Sequence, residues 1–300
     1  MHRRACVGAT VAFAVALAAT PAFARRPAPK PSPTPTPTAI PTPPPLTSEA
    51  RIDRLRARIE DISRAAPGRL GVTIVDTSLG THVAVRGSEA FPLATTYRIA
   101  VALTAFRRVD QHRFELSDRT LVTSSGFSIT YWELVRAMLV GSDRTASDAV
   151  LRAVGGPSAV QGVLDRLGFR GFSMGKSQGG NLDRTATPDA VAALLQGIAE
   201  QRLLHEDSTY ELLTMLENVR ASPSRLRAGL PPHAKLADAA GASATIGGVT
   251  DATNDAGVFT LPDGRRIVIV ALLNGSSADS ATRDATLAQV AAAAYAAFGP

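Results

Sequence analysis

Ile52, Leu55, Ile59 and Ile62 recur at the three- and four-residue spacing of one helix face, which predicts a helix from Ser48 to Ala65 with Ser48 as its cap. The pattern then changes period. Leu70 to Asp76 reads as a strand, Ser78-Leu79-Gly80 as a turn, and His82 to Val85 as the hairpin partner. From Thr96 to about Val219 helical spacing dominates, with helices expected at Thr96 to Val109, Trp132 to Leu139, Ala146 to Val154, Pro157 to Leu167, Pro188 to Gln201 and Ser208 to Asn218. A second hairpin follows, Ala256 to Thr260 and Arg266 to Leu272 around the turn Leu261-Pro262-Asp263-Gly264, and a helix from Asp279 to Phe298 closes the chain. Mixed ends around a helical middle imply an α+β fold. The two hairpins join in one antiparallel sheet flanked by the terminal helices, and the mostly helical middle forms a second lobe with a cleft between the two.

Before residue 48 the pattern is of another kind. Arg3 and Arg4 precede an apolar run from Val11 to Ala19, too short to cross a bilayer, and Ala22-Phe23-Ala24 has the small-x-small form of a cleavage site. Residues 1–24 are therefore expected to be a signal peptide, which makes the chain a secreted, periplasmic or cell-envelope protein with no transmembrane segment after cleavage. Residues 25–47 form a Pro/Thr tract, expected as an extended polyproline spacer: a plain linker, or a stalk through an envelope layer with O-glycosylated threonines. The folded domain is then residues 48–300. The single cysteine, Cys6, lies inside the signal, so the mature chain has neither disulfides nor cysteine-metal sites.

The formal net charge of +6 would suggest nucleic acid for a cytoplasmic chain, but no basic-plus-aromatic cluster supports it. An exported chain meets anionic wall polymers and membrane surfaces instead; a plain bias toward arginine is the other explanation. His82, His112, His205 and His233 show neither metal spacing nor a triad pattern and are expected at surface or packing positions. No metal and no cofactor is expected.

Four segments carry candidate chemistry. Glu89 to Arg98 (EAFPLATTYR) runs through a proline to Thr95 and Arg98, one helical turn apart; Ser142-Asp143-Arg144-Thr145-Ala146 is followed by Gly155-Gly156-Pro157; then come Thr185-Ala186-Thr187-Pro188 and Leu236 to Ser243 (LADAAGAS). In this order, and across residues 48 to 300, they resemble the class A β-lactamases and related penicillin-binding serine hydrolases. The resemblance places Thr95 and Arg98 at the S-x-x-K serine and lysine, Ser142 and Arg144 at the ends of S-D-N, and Ala239-Ala240-Gly241 with Ala242 at K-T-G and the residue after it. It also places Gly175 to Asn181 at the omega loop, where no carboxylate stands; indeed no glutamate occurs from Asp143 through Ala199.

Those substitutions bear on mechanism. A threonine hydroxyl is a nucleophile only with an activating base, and an arginine stays protonated where a desolvated lysine can act as one. Arg98 is expected to pair with Asp143 or Asp148, or to hold an anion, and Thr95 is expected as a helix cap, with a reactive role as the alternative. Ser142 is either structural, beside the cap of the next helix, or a second hydroxyl in the cleft. Arg144 would partly fill the cleft or meet an anion, and Ala239 and Ala240 remove the cation and hydroxyl that hold a substrate carboxylate in the family. The expectation is a monomeric, catalytically impaired or inactive homologue that binds a peptidoglycan-like or β-lactam small molecule or an envelope protein. Two alternatives stay open: a divergent β-lactamase, amidase or esterase using Thr95 or Ser142, and a structural envelope protein whose cleft is filled by its arginines.

Overall fold

A five-stranded antiparallel sheet divides the domain into two layers. The computed structural model of the chain describes residues 47–113, 115–121, 128–175 and 184–299; the expected signal peptide, nearly all of the Pro/Thr tract and residues 176–181 of the omega-loop segment lie outside them. The sheet strands are β1 (Arg69–Asp76), β2 (Thr81–Val85), β3 (Lys235–Ala242), β4 (Thr253–Thr260) and β5 (Arg266–Asn274). Their spatial order is β2-β1-β5-β4-β3. The two hairpins meet where β1 pairs β5 along its whole length, from Arg69 opposite Asn274 to Asp76 opposite Ile267.

Every residue of β1 but the first is buried, as is every residue of β5 between its ends, because each face of the sheet is covered. On one face lie the terminal helices α1 (Ser48–Ala65) and α8 (Ser280–Phe298). Leu55, Ile59 and Ile62 of α1 pack there with Leu70, Val72, Ile74, Ile269 and Ala271 from the sheet and with Leu287, Val290 and Ala294 of α8. The opposite face meets the helical lobe: α2 (Arg98–Asp110), α3 (Tyr131–Leu139), α4 (Arg144–Ala153), α5 (Gly156–Arg166), α6 (Pro188–Ala199) and α7 (Glu206–Glu217). α2 is the axis of that lobe. All nine residues from Arg98 to Phe106 are buried, so the helix has a solvent-facing side only near its end. No helix among the described residues is long and apolar enough to cross a membrane.

Helix starts follow cap chemistry, with one correction. The α1 cap is Thr47, not Ser48: the Thr47 hydroxyl accepts from Ala50 N at 3.2 Å, which puts Ser48 in the first turn. Thr130 and Glu133 form a reciprocal capping box at α3, and Asp143 caps α4 by accepting from Ala146 N at 2.7 Å. The strand β3 carries no alternation of branched residues, and the hydropathy pattern marks no strand there. It forms because β4 offers it a complete ladder, Lys235 opposite Thr260 through Ala242 opposite Thr253.

Candidate functional site

Phe91 and Pro92 bring the chain off the sheet as a two-residue strand paired to Thr185–Ala186. The link is fixed at both sides. Leu93 N donates to Arg184 O at 2.8 Å, and the Asn254 amide donates to Pro92 O at 2.7 Å. Ala94 then turns in the left-handed region at φ 45°, a conformation that a non-glycine residue adopts only when its surroundings impose it. A 3₁₀ turn, Ala94–Tyr97, leads into α2.

Thr95 lies in this turn and caps nothing. Its hydroxyl instead donates across to Ala240 O on β3 at 3.3 Å. That approach depends on Gly241, where a Cβ would stand 2.7 Å from Thr96 N and Oγ1 and 2.9 Å from Thr95 N. Backbone cannot move aside as a flexible side chain can, so Gly241→Ala is expected to push β3 off the turn and to destabilise the domain by about 1–3 kcal/mol, read from urea unfolding.

Arg98 is one turn further and 5% exposed. The expected ion pair with Asp143 or Asp148 does not form; its Nη2 donates to Ser142 O at 3.1 Å, and its buried Nε has no partner among the described residues. Asp143 is engaged as the α4 cap. Burial pushes the Arg98 pKa down, with Tyr97 and then Asp143 opposing, yet a guanidinium starts so high that the group stays a cation. Ser142 receives it through a backbone carbonyl presented at φ 53°, while the Ser142 and Arg144 residues are exposed. Arg144 makes neither hydrogen bond nor ion pair among the described residues.

Of the K-T-G-like residues, Ala239 packs into the sheet–lobe core, Ala240 is half-buried and Ala242 is exposed. The structure thus brings Thr95 together with Ala240 and Gly241, and Arg98 with Ser142, while Arg144 and Ala242 border them from solvent.

Two arginines that sequence reasoning missed complete the surroundings. The Arg184 guanidinium lies 3.6 Å from the centre of the Tyr97 ring, with its buried Nε unpartnered and its pKa lowered by burial against Tyr97 and Asp148. Arg225 is buried behind β3: its Nη1 donates to Gly241 O at 3.1 Å and Asn254 O at 3.0 Å, and its Nε to Asp284 at 2.8 Å. Arg184 had no signal in the sequence beyond adjoining the Thr185 segment, and Arg225 had none.

On that same rear face Asp238 of β3 lies beside Asp255 of β4. Asp238 is pushed up to about 9 by burial and by the Asp255 charge, with Arg227 opposing. Asp255 is pushed up to about 6 by burial, against Arg225 and the Leu226 N–H. The two carboxyls titrate as a pair, and burial makes that pair hold a proton to higher pH than free carboxyls would.

No carboxylate, lysine or imidazole among the described residues hydrogen-bonds Thr95 Oγ1 or Ser142. His82 is on Asp189 at 3.1 Å and His205 on Asp110 at 3.7 Å, both away from this turn. The arrangement can attract negative charge; among the described residues it offers no group that would take the Thr95 proton.

A hydroxyl-bearing turn between an edge strand and a helical lobe, over this order of elements, matches one family: the model of the "Beta-lactamase enzyme family" covers residues 54–298. The chain belongs to the β-lactamase enzyme family. A β-lactamase of Streptomyces fradiae is 30% identical over 263 residues, covering 80% of this chain and 84% of that protein. The extended-spectrum β-lactamase PER-1 of Pseudomonas aeruginosa is 24% identical, covering 83% and 88%. Among solved structures, an ancestral class A β-lactamase superposes with a TM-score of 0.75 at 30% identity, covering 81% of this chain and all of that one. A β-lactamase from Chitinophaga pinensis gives a TM-score of 0.76 at 24% identity, covering 80% and 97%. The β-lactamase fold is therefore present along the whole described domain.

Proposed function

We propose that this β-lactamase family member is an exported, catalytically silent protein whose cleft binds an anionic envelope ligand, such as a carboxylate-bearing peptidoglycan fragment, instead of hydrolysing it. The observation that carries the reading is the state of the Thr95–Arg98 turn. The hydroxyl proton is given to a backbone carbonyl, and the group one turn away is a buried guanidinium that cannot accept a proton. Acyl transfer needs both a nucleophile and a base to activate it, and the two act as a unit, so the loss of the base is not offset by keeping a hydroxyl. The exposed Arg144 supplies instead a forked donor that suits a carboxylate, and the half-buried Arg184 and buried Arg98 add positive charge around it.

The test is to incubate the purified domain with a chromogenic cephalosporin and a reporter penicillin, following colour and intact mass. Turnover is expected to be roughly 10³-fold or more below that of a working family member, with no covalent adduct. A mass increase that disappears in Thr95→Val would overturn the reading and establish the alternative, a slow hydrolase acting through Thr95.

A further inference from the structure

At the far end of α2 from Thr95 a second recess opens, with a volume of about 440 Å³, between the last turn of α2 and α5. Arg107, Arg108, Arg113 and Arg166 line it, and no acidic residue does. Helix C-termini attract cations, which accounts for three of the four: Arg107 and Arg108 lie in the last turn of α2 and Arg166 in the last turn of α5. Arg107 donates to Leu203 O at 2.6 Å and Arg108 to Ala153 O at 3.2 Å. Those bonds fix the two guanidiniums in place and leave their other N–H groups free. Arg113, beyond the end of α2, has no such explanation, and neither its side chain nor that of Arg166 makes an ion pair or hydrogen bond among the described residues. The nearby acids are engaged elsewhere: Asp110 accepts from His205 N and Ser208 Oγ, and Asp165 accepts from Gln161.

Small residues make room for the cations. A Cβ on Gly162 would stand 3.3 Å from Arg166 Nη1, and one on Gly155 would stand 3.3 Å from Arg108 Nη2. Four like charges around one recess repel each other when it is empty, and a multiply charged anion reverses that cost. Arginine forks match the tetrahedral oxygens of phosphate in pairs.

We infer that this recess is a binding site for a compact polyanion carrying two or more phosphate groups, separate from the Thr95 cleft and independent of what that cleft binds. The hydroxyl of Ser158 at its edge adds a neutral donor. The recess is too small for a folded partner, and the absence of an acidic lining argues against a divalent cation.

The probe is inorganic tripolyphosphate, titrated into the full chain by calorimetry at low ionic strength, with thermal unfolding in parallel. Saturable binding and a rise in Tm are expected. Arg113→Gln/Arg166→Gln changes only exposed side chains, so it should fold normally and weaken binding at least tenfold. Gly162→Leu fills the recess without altering charge and should weaken binding comparably. Arg51→Gln/Arg54→Gln on α1 removes the same charge elsewhere and should leave binding unchanged. Failure of the parent to bind, or equal weakening by both double-arginine variants, would show only diffuse attraction to a basic protein and would overturn the site. Neither outcome touches the cephalosporin result at Thr95.

Discussion

Arg225→Ala is expected to lower the unfolding free energy by about 3–5 kcal/mol, the range for breaking a buried ion pair from one side. Arg225 and Asp284 have side chains only 9% and 14% exposed, so the carboxylate left behind cannot recover its lost partner from bulk water. The loss extends beyond the pair. Arg225 Nη1 also bridges Gly241 O and Asn254 O, residues that face each other across β3 and β4, and Asn254 in turn holds Pro92 O ahead of the Thr95 turn. Removing the guanidinium therefore loosens β3, β4 and the turn together. Urea unfolding should show the drop in midpoint, and Arg225→Met with Asp284→Leu should recover part of it because the Asp284 carboxylate is then not left without its partner. A loss below about 1 kcal/mol for Arg225→Ala would mean that the pair behaves like an exposed one.

The second large effect is in the pH dependence of stability. A carboxyl whose folded pKa lies above its unfolded value holds its proton more tightly when folded. Its contribution is complete below the unfolded value near 3.8 and is lost as pH rises through the folded one. Asp255 loses its share by about pH 6, and Asp238 continues to lose stability up to about pH 9. Between pH 6 and 9 the remaining proton of the pair makes stability fall as pH rises. The domain should thus be most stable in mildly acid solution and weaken toward alkaline pH. Asp238→Asn replaces the O–H donor of the protonated acid by an amide N–H that does not titrate, so it should flatten the profile and be more stable than the parent at pH 9. Unfolding midpoints at pH 5, 7 and 9 decide it; a variant with the parent's slope would assign the dependence to other groups.

Several features of the site explain why the contacts of its candidate residues were not legible in the sequence. Thr95, Arg98 and Ser142 stand in short motifs whose order along the chain is visible without coordinates. Contacts depend on which carbonyls the fold delivers: Ala240 O to Thr95 and Ser142 O to Arg98. A sequence search for an Arg98 partner looks for acids and finds Asp143, but the α4 cap has already taken that carboxylate. Arg184 adjoins the Thr185 segment and Arg225 lies eleven residues before Leu236; neither carries a periodic or spacing signal, and their roles follow from backbone oxygens and a ring supplied by distant segments.

The sequence by itself determined the eight long helices and two hairpins to within a few residues, because amphipathic spacing, caps and turn residues are local and repeat a fixed period. The order of the four candidate segments along the chain is likewise visible in it. Only the tertiary structure decided that Leu236 to Ala242 is an edge strand, since its small residues carry no alternating pattern and the ladder from β4 supplies the reason to extend. Tertiary packing likewise decided that the carboxyls of Asp238 and Asp255 are buried as a coupled pair and that four arginines from α2, α5 and the chain after α2 line one recess. Those are encounters between residues far apart in the chain, and their electrostatics exist only once folding has excluded water from between them.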